Sequence, residues 1–135
     1  MIIKSIGHSA YRCADMAKSL HFYCDVLGLQ KAFDLKRDGN PWIEYLKVCD
    51  GQFIELFHID SSTAPFSKEN LSYSHLCLEV FDIRAACETI RKAGYPIASE
   101  PKQGSDQNWQ AWVVDPDDNR VELMQISPES PQAKA

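Results

Sequence analysis

The chain has no CxxC cysteine pair, no excess of positive charge and no apolar run that approaches membrane-spanning length. Its five cysteines, Cys13, Cys24, Cys49, Cys77 and Cys87, are odd in number and widely spaced. That pattern excludes a disulfide framework or zinc knuckle as the organising device and fits reduced thiols in a cytoplasmic protein. With 14 Lys and Arg against 19 Asp and Glu, the formal net charge is −5, which argues against a nucleic-acid or anionic-membrane surface. Met1-Ile-Ile-Lys leads straight into a strand-like run, so no signal peptide is expected. A length of 135 residues suits one compact domain with a core that needs no covalent staples.

What is present is a duplication. In the first half Ile6 to Cys13 reads as a strand. Asp15 then caps a helix with an apolar stripe at Leu20, Tyr23, Cys24 and Leu27, and Gly28 ends it. In the second half Ser74 to Phe81 is the strand, Asp82 the cap, Ile83, Ala86, Cys87 and Ile90 the stripe, and Gly94 the stop. Three strand-like segments follow in each: Lys31 to Leu35, Trp42 to Val48 and Gly51 to Ile59, then Ile97 to Ser99, Trp109 to Val114 and Asn119 to Ile126. The expected fold is α+β, with two βαβββ modules, about 1–60 and 71–127, forming one domain over 1–127. A curved mixed sheet is expected to wrap a cleft. The linker from Ser61 to Asn70 is polar, and residues 128–135 are expected to form a disordered tail.

One offset relates the halves: His8 and His75, Asp15 and Asp82, and Glu55 and Glu122 are each 67 residues apart. Alternation puts His8, Ala10 and Arg12 on one strand face and Tyr11 and Cys13 on the other. Phe53, Glu55 and Phe57 share a face, as do Arg120, Glu122 and Met124, with Ile54, Leu56, Val121 and Leu123 turned towards the helices. A single strand histidine is ordinarily a hydrogen-bonded core residue, and a single strand glutamate an edge or salt-bridged one. Two of each at a common offset point instead to convergence on one divalent metal ion of the first transition row. Zn, Ni or Co is favoured, with Mn or Fe also suited to the donors. A cation would compensate the burial of the two glutamates. His21 falls near the polar side of the first helix and reads as solvated, and His58 lies on the opposite strand face from Glu55. Trp112 reads as core; Trp109, at a loop edge, is as consistent with core packing as with substrate stacking.

The segments HSAYRCADMAKSLHFYCDVLGL, FIELF, YSHLCLEV and VVDPDDNRVELMQ together resemble the vicinal-oxygen-chelate superfamily and, within it, the glyoxalase I (lactoylglutathione lyase) group. The resemblance runs almost to Ile126. It implies the glyoxalase fold, a metal held by His8, Glu55, His75 and Glu122, and a homodimer with clefts built across its interface. The implied reaction isomerises a hemithioacetal of a 2-oxoaldehyde such as methylglyoxal with glutathione or another thiol. Proton transfer through an enediolate yields the thioester, with Glu122 as principal base, Glu55 as its counterpart and Arg12 as a contact to the glutathione moiety. Methylglyoxal detoxification in the cytoplasm would be the physiological role. Three positions depart from the group: Ile59 stands where a glutathione-binding asparagine is usual, Gly104 where a loop lysine is usual, and DPDDN replaces the commoner DPDGN. Two other expectations compatible with the same residues are a methylmalonyl-CoA epimerase-like enzyme and a small-molecule-binding or resistance protein.

Overall fold

The structure, a computed structural model, describes residues 6–59 and 73–135. The expected linker from Ser61 to Asn70 lies outside the described residues. Two compact units divide the chain, Met1–Ala64 and Pro65–Ala135.

In the first unit, β1 (His8–Cys13) leads to a helix, α1 (Met16–Leu20), and then to β2 (Gln30–Arg37), β3 (Asn40–Cys49) and β4 (Gln52–His58). The sheet order is β1-β4-β3-β2, with β1 parallel to β4 and the other pairs antiparallel. The second unit repeats the plan with β5 (Leu76–Glu79), α2 (Ile83–Lys92), β6 (Ser99–Gln103), β7 (Trp109–Val114) and β8 (Arg120–Gln125), in the order β5-β8-β7-β6. The crossover from β1 or β5 through a helix is what permits the single parallel pairing in each sheet. The α+β class and both βαβββ modules are therefore as expected. Several boundaries move: β5 is shorter than the Ser74 to Phe81 run and begins after His75, while β6 starts at Ser99 instead of Ile97.

Each sheet buries one face under its helix. Ile54 and Leu56 of β4, Tyr11 and Cys13 of β1, and Phe22, Tyr23 and Val26 are all buried, with the rings of Tyr11 and Tyr23 6.3 Å apart. In the second unit Val121, Leu123, Ala111 and Val113 form the core with Ile83, Cys87 and Ile90. Full burial of an apolar side chain of this size contributes roughly 1.5–3 kcal/mol.

The first helix departs from the expectation. After α1 the chain continues as π-helical turns over His21–Val26. The buried stripe is Ser19, Phe22, Tyr23 and Val26, so Leu20, Cys24 and Leu27 are only half-buried. The cause is visible in the spacing. Asp15 to Gly28 spans one residue more than Asp82 to Gly94, although Asp15 and Asp82 hold the common offset. One extra residue between a fixed cap and a fixed stop is absorbed by widening the turn, which is how such bulges arise. Gly28 (φ +80°) and Gly94 (φ +79°) then reverse the chain in the left-handed region.

The tail, expected to be disordered, instead carries one short helix, α3 (Pro131–Lys134). Ser130 is buried and its hydroxyl accepts from the Ala133 N–H at 3.1 Å, while Asn108 Nδ2 donates to Gln132 Oε1 at 3.0 Å. Asn108 lies in the loop before β7, out of reach of a composition argument.

Candidate active site

In each unit the open face of the sheet, opposite the helix, carries one histidine and one glutamate. Glu55 on β4 is 5% exposed, and the His8 Nδ1 of β1 lies 3.4 Å from its Oε1. Glu122 on β8 is 4% exposed, and the His75 Nε2 lies 3.1 Å from its Oε2. His75 is further fixed by the Ser74 hydroxyl, 3.1 Å from its Nδ1. Burial of the carboxylates follows from register: Glu55 faces Ala10 on one side and Tyr45 on the other, and Glu122 faces Cys77 and Trp112. Each lies on an interior strand of its sheet, between two strand neighbours.

Those neighbours obey the same offset. Ala10 and Cys77, like Tyr45 and Trp112, stand 67 residues apart. Hydrogen bonding to Glu55 is the main cause that raises the Tyr45 hydroxyl above its ordinary pKa, so it stays protonated and donates. Cys77 is exposed, yet partial desolvation against the sheet, reinforced by the charge of Glu122, pushes its thiol up to about 12. Cys77 is thus a neutral neighbour of the carboxylate.

The structure brings His8 to Glu55 and His75 to Glu122, as two separate pairs, one in each unit. Among the described residues no group of three or more His, Cys, Asp or Glu gathers into a metal-binding cluster. The chemistry of the donors nevertheless fits a cation. Each carboxylate is buried and meets a single imidazole, and burial of a carboxylate calls for a compensating positive group. Arg12 is exposed on the same face of β1 as His8, and among the described residues it has no ion-pair partner.

Three further residues fall as follows. His21 is exposed, with Nδ1 2.9 Å from Asp25 Oδ2, a surface pair as expected. His58 lies on the opposite strand face from Glu55 and meets Glu44, Nε2 to Oε1 3.3 Å, while Lys31 Nζ lies 2.6 Å from Glu44 Oε2 without hydrogen-bond geometry. Trp112, expected in the core, is instead half-buried on the Glu122 face. Its ring meets that of His75 edge-on at 4.9 Å, and the Arg120 guanidinium stacks 4.0 Å above its centroid. Alternation along β7 explains the correction, because Ala111 and Val113 take the buried face.

The loop that delivers Glu122 is held by Asp115. Its carboxylate accepts from the N–H groups of Asp117 (2.9 Å) and Asn119 (2.8 Å) and from Asn119 Nδ2 (2.9 Å). Asp118 occupies the left-handed region at φ 65°, where glycine would be unstrained.

A sequence profile of the Glyoxalase/Bleomycin resistance protein/Dioxygenase superfamily matches residues 5–123. The chain belongs to this superfamily. Among its relatives, a probable lactoylglutathione lyase from Synechocystis sp. is 34% identical over 127 residues, covering 89% of this chain and 94% of that protein. The lactoylglutathione lyase of Haemophilus influenzae is 30% identical over 127 residues, covering 89% and 91%. The crystal structure of a glyoxalase family protein from Enterococcus faecalis aligns with a TM-score of 0.80 at 23% identity, covering 93% of this chain and 100% of that one. The fold of this superfamily member is thereby shown. Among the described residues, no helix is long and apolar enough to cross a membrane.

Proposed function

We propose that the protein is a metal-dependent glyoxalase I-like lyase. It would isomerise the hemithioacetal of a 2-oxoaldehyde, methylglyoxal with glutathione or another thiol, to the thioester, and so serve methylglyoxal detoxification in the cytoplasm. One observation carries the reading: a buried glutamate faces a histidine at equivalent positions of two modules, at 3.4 Å and 3.1 Å. The relatives named lactoylglutathione lyase support the same direction.

His8, Glu55, His75 and Glu122 would hold one divalent ion, Zn, Ni or Co foremost and Mn or Fe also acceptable to this donor set. We further propose a homodimer in which one module of each chain contributes a half-site. When bound, the ion would supply Lewis-acid stabilisation of negative charge that develops on the substrate. Glu122 removes the proton from the hydroxyl-bearing carbon and returns it to the neighbouring carbonyl carbon. The hydroxyl proton passes between the two oxygens, so substrate and product are isomers. Glu55, its symmetric equivalent, assists or substitutes. Tyr45, protonated against Glu55, and Cys77, protonated against Glu122, place neutral donors beside the two carboxylates. Arg12 would meet an anionic part of the substrate.

The test is thioester formation from methylglyoxal and glutathione by protein reconstituted separately with Zn, Ni and Co, repeated with cysteine and coenzyme A as thiols. Turnover with at least one pairing is expected. No turnover with any metal or thiol would remove the lyase reading and leave the fold.

A further inference from the structure

The two His–Glu pairs are built on one plan, but they differ in the side chains that face the glutamates. Glu55 stands between Ala10 of β1 and Tyr45 of β3, and Glu122 between Cys77 of β5 and Trp112 of β7. Ala10 has no polar side-chain group, whereas the Tyr45 hydroxyl is hydrogen-bonded to Glu55. In the second unit Trp112 has no hydroxyl, and Cys77 offers Glu122 only a thiol, a weak donor. One buried carboxylate therefore accepts from a phenol, and its equivalent does not.

The Tyr45 ring is held in place. It stacks on that of Phe33, its cross-strand neighbour on β2, with centroids 4.2 Å apart and planes 19° from parallel. Phe53, two residues before Glu55 on β4, meets it edge-on at 6.3 Å. Packing on two sides limits the rotation of the ring, so its hydroxyl is aimed before anything binds. A hydrogen bond to a carboxylate is charge-assisted, and it both orients the group and occupies one of its acceptor sites. An oxygen engaged in this way is less available to take a proton from carbon.

We infer that Tyr45 is a positioning residue that breaks the equivalence of the two glutamates: its hydroxyl fixes Glu55 as a group that holds and leaves Glu122 as the one that transfers the proton. That division of roles rests on the lyase reading; the fixing of Glu55 by Tyr45 does not. Without the hydroxyl, Glu55 is free to do what Glu122 does. It takes the proton from the hydroxyl-bearing carbon and returns it to the neighbouring carbonyl carbon, so substrate and product remain isomers.

Two measurements on the full chain test this. The first is zinc affinity, by competition with a chromophoric chelator, in a double-mutant cycle of Tyr45→Phe and Glu55→Ala. Tyr45→Phe keeps the ring packing and should weaken zinc about tenfold, the scale for removing a group that orients a ligand. In the Glu55→Ala background the same change should have no effect. Unchanged affinity in Tyr45→Phe overturns the inference, and so does an equal loss with and without Glu55, the signature of a merely structural role. A parent that binds no zinc removes the inference together with the shared metal centre. The second measurement is turnover at saturating concentration of whichever of Zn, Ni and Co is most active. The double variant Tyr45→Phe, Glu122→Gln is expected to turn over about tenfold faster than Glu122→Gln alone, because Glu55 then substitutes. A double variant that is no faster overturns the division of roles. A zinc effect that depends on Glu55, in a protein that isomerises no hemithioacetal, keeps the Tyr45–Glu55 link and removes the lyase. Turnover by a parent whose zinc effects are additive does the reverse.

Discussion

Glu122→Gln separates shape from charge at the centre of the site. Glu122 is 4% exposed, pairs with His75 at 3.1 Å and lies against the Cys77 thiol. Glutamine keeps the side-chain volume, one oxygen acceptor and the strand register, and removes only the basic oxygen. Folding should change little, by about 1 kcal/mol or less, because a buried amide costs less to desolvate than a buried carboxylate. Metal affinity should weaken without vanishing, since the other three ligands remain. Turnover is expected to fall by about two to four orders of magnitude, the scale for losing a general base, which corresponds to roughly 3–5.5 kcal/mol of activation free energy. The assay is thioester formation alongside metal content and thermal unfolding on the same preparation. Near-parental turnover with metal retained would place the base elsewhere. Unfolding of the variant would show that the glutamate is structural.

Three further outcomes follow from particular residues. Cys77 is exposed, as Cys49 is, but with its pKa at about 12 it should react with iodoacetamide at pH 8 about a thousandfold more slowly than Cys49, because only the thiolate attacks. Removing the neighbouring charge by Glu122→Gln should lower that pKa and speed alkylation, and peptide mass spectrometry that finds the rate unchanged would contradict the stated cause. Asp118→Gly relieves a left-handed conformation and should raise Tm by about 2 °C, worth about 0.5 kcal/mol; a fall in Tm would show that the Asp118 side chain contributes more than its strain costs. A homodimer should appear as twice the chain mass in light scattering at micromolar concentration, and a concentration-independent monomer would refute the shared cleft.

The duplication made much of this legible in advance. Strand residues have period two, so a common offset places equivalent side chains on equivalent faces, and His8, Glu55 and Glu122 lie where alternation puts them, while His75 stands one residue before β5. The same offset also relates Tyr45 to Trp112 and Ala10 to Cys77, a signal that would have moved Trp112 out of the core. The π-helical turns were legible too, as the single residue by which Asp15 to Gly28 exceeds Asp82 to Gly94. Glu44 was not. Its burial depends on Lys31 and His58 meeting it from two other strands, and no local pattern encodes a pair of tertiary partners. The ordered tail is of the same kind, since Asn108 reaches Gln132 across 24 residues.

The central claim is that two half-sites, His8 with Glu55 and His75 with Glu122, share one metal ion. Elemental analysis of the parent, His8→Ala and His75→Ala after identical reconstitution and dialysis tests it most directly. The account predicts about one divalent ion per chain in the parent and loss of most of it in both variants, although the two residues belong to different units. Full occupancy in His8→Ala together with an empty His75→Ala, or the reverse, would mean that one unit binds the metal alone and would contradict the shared centre.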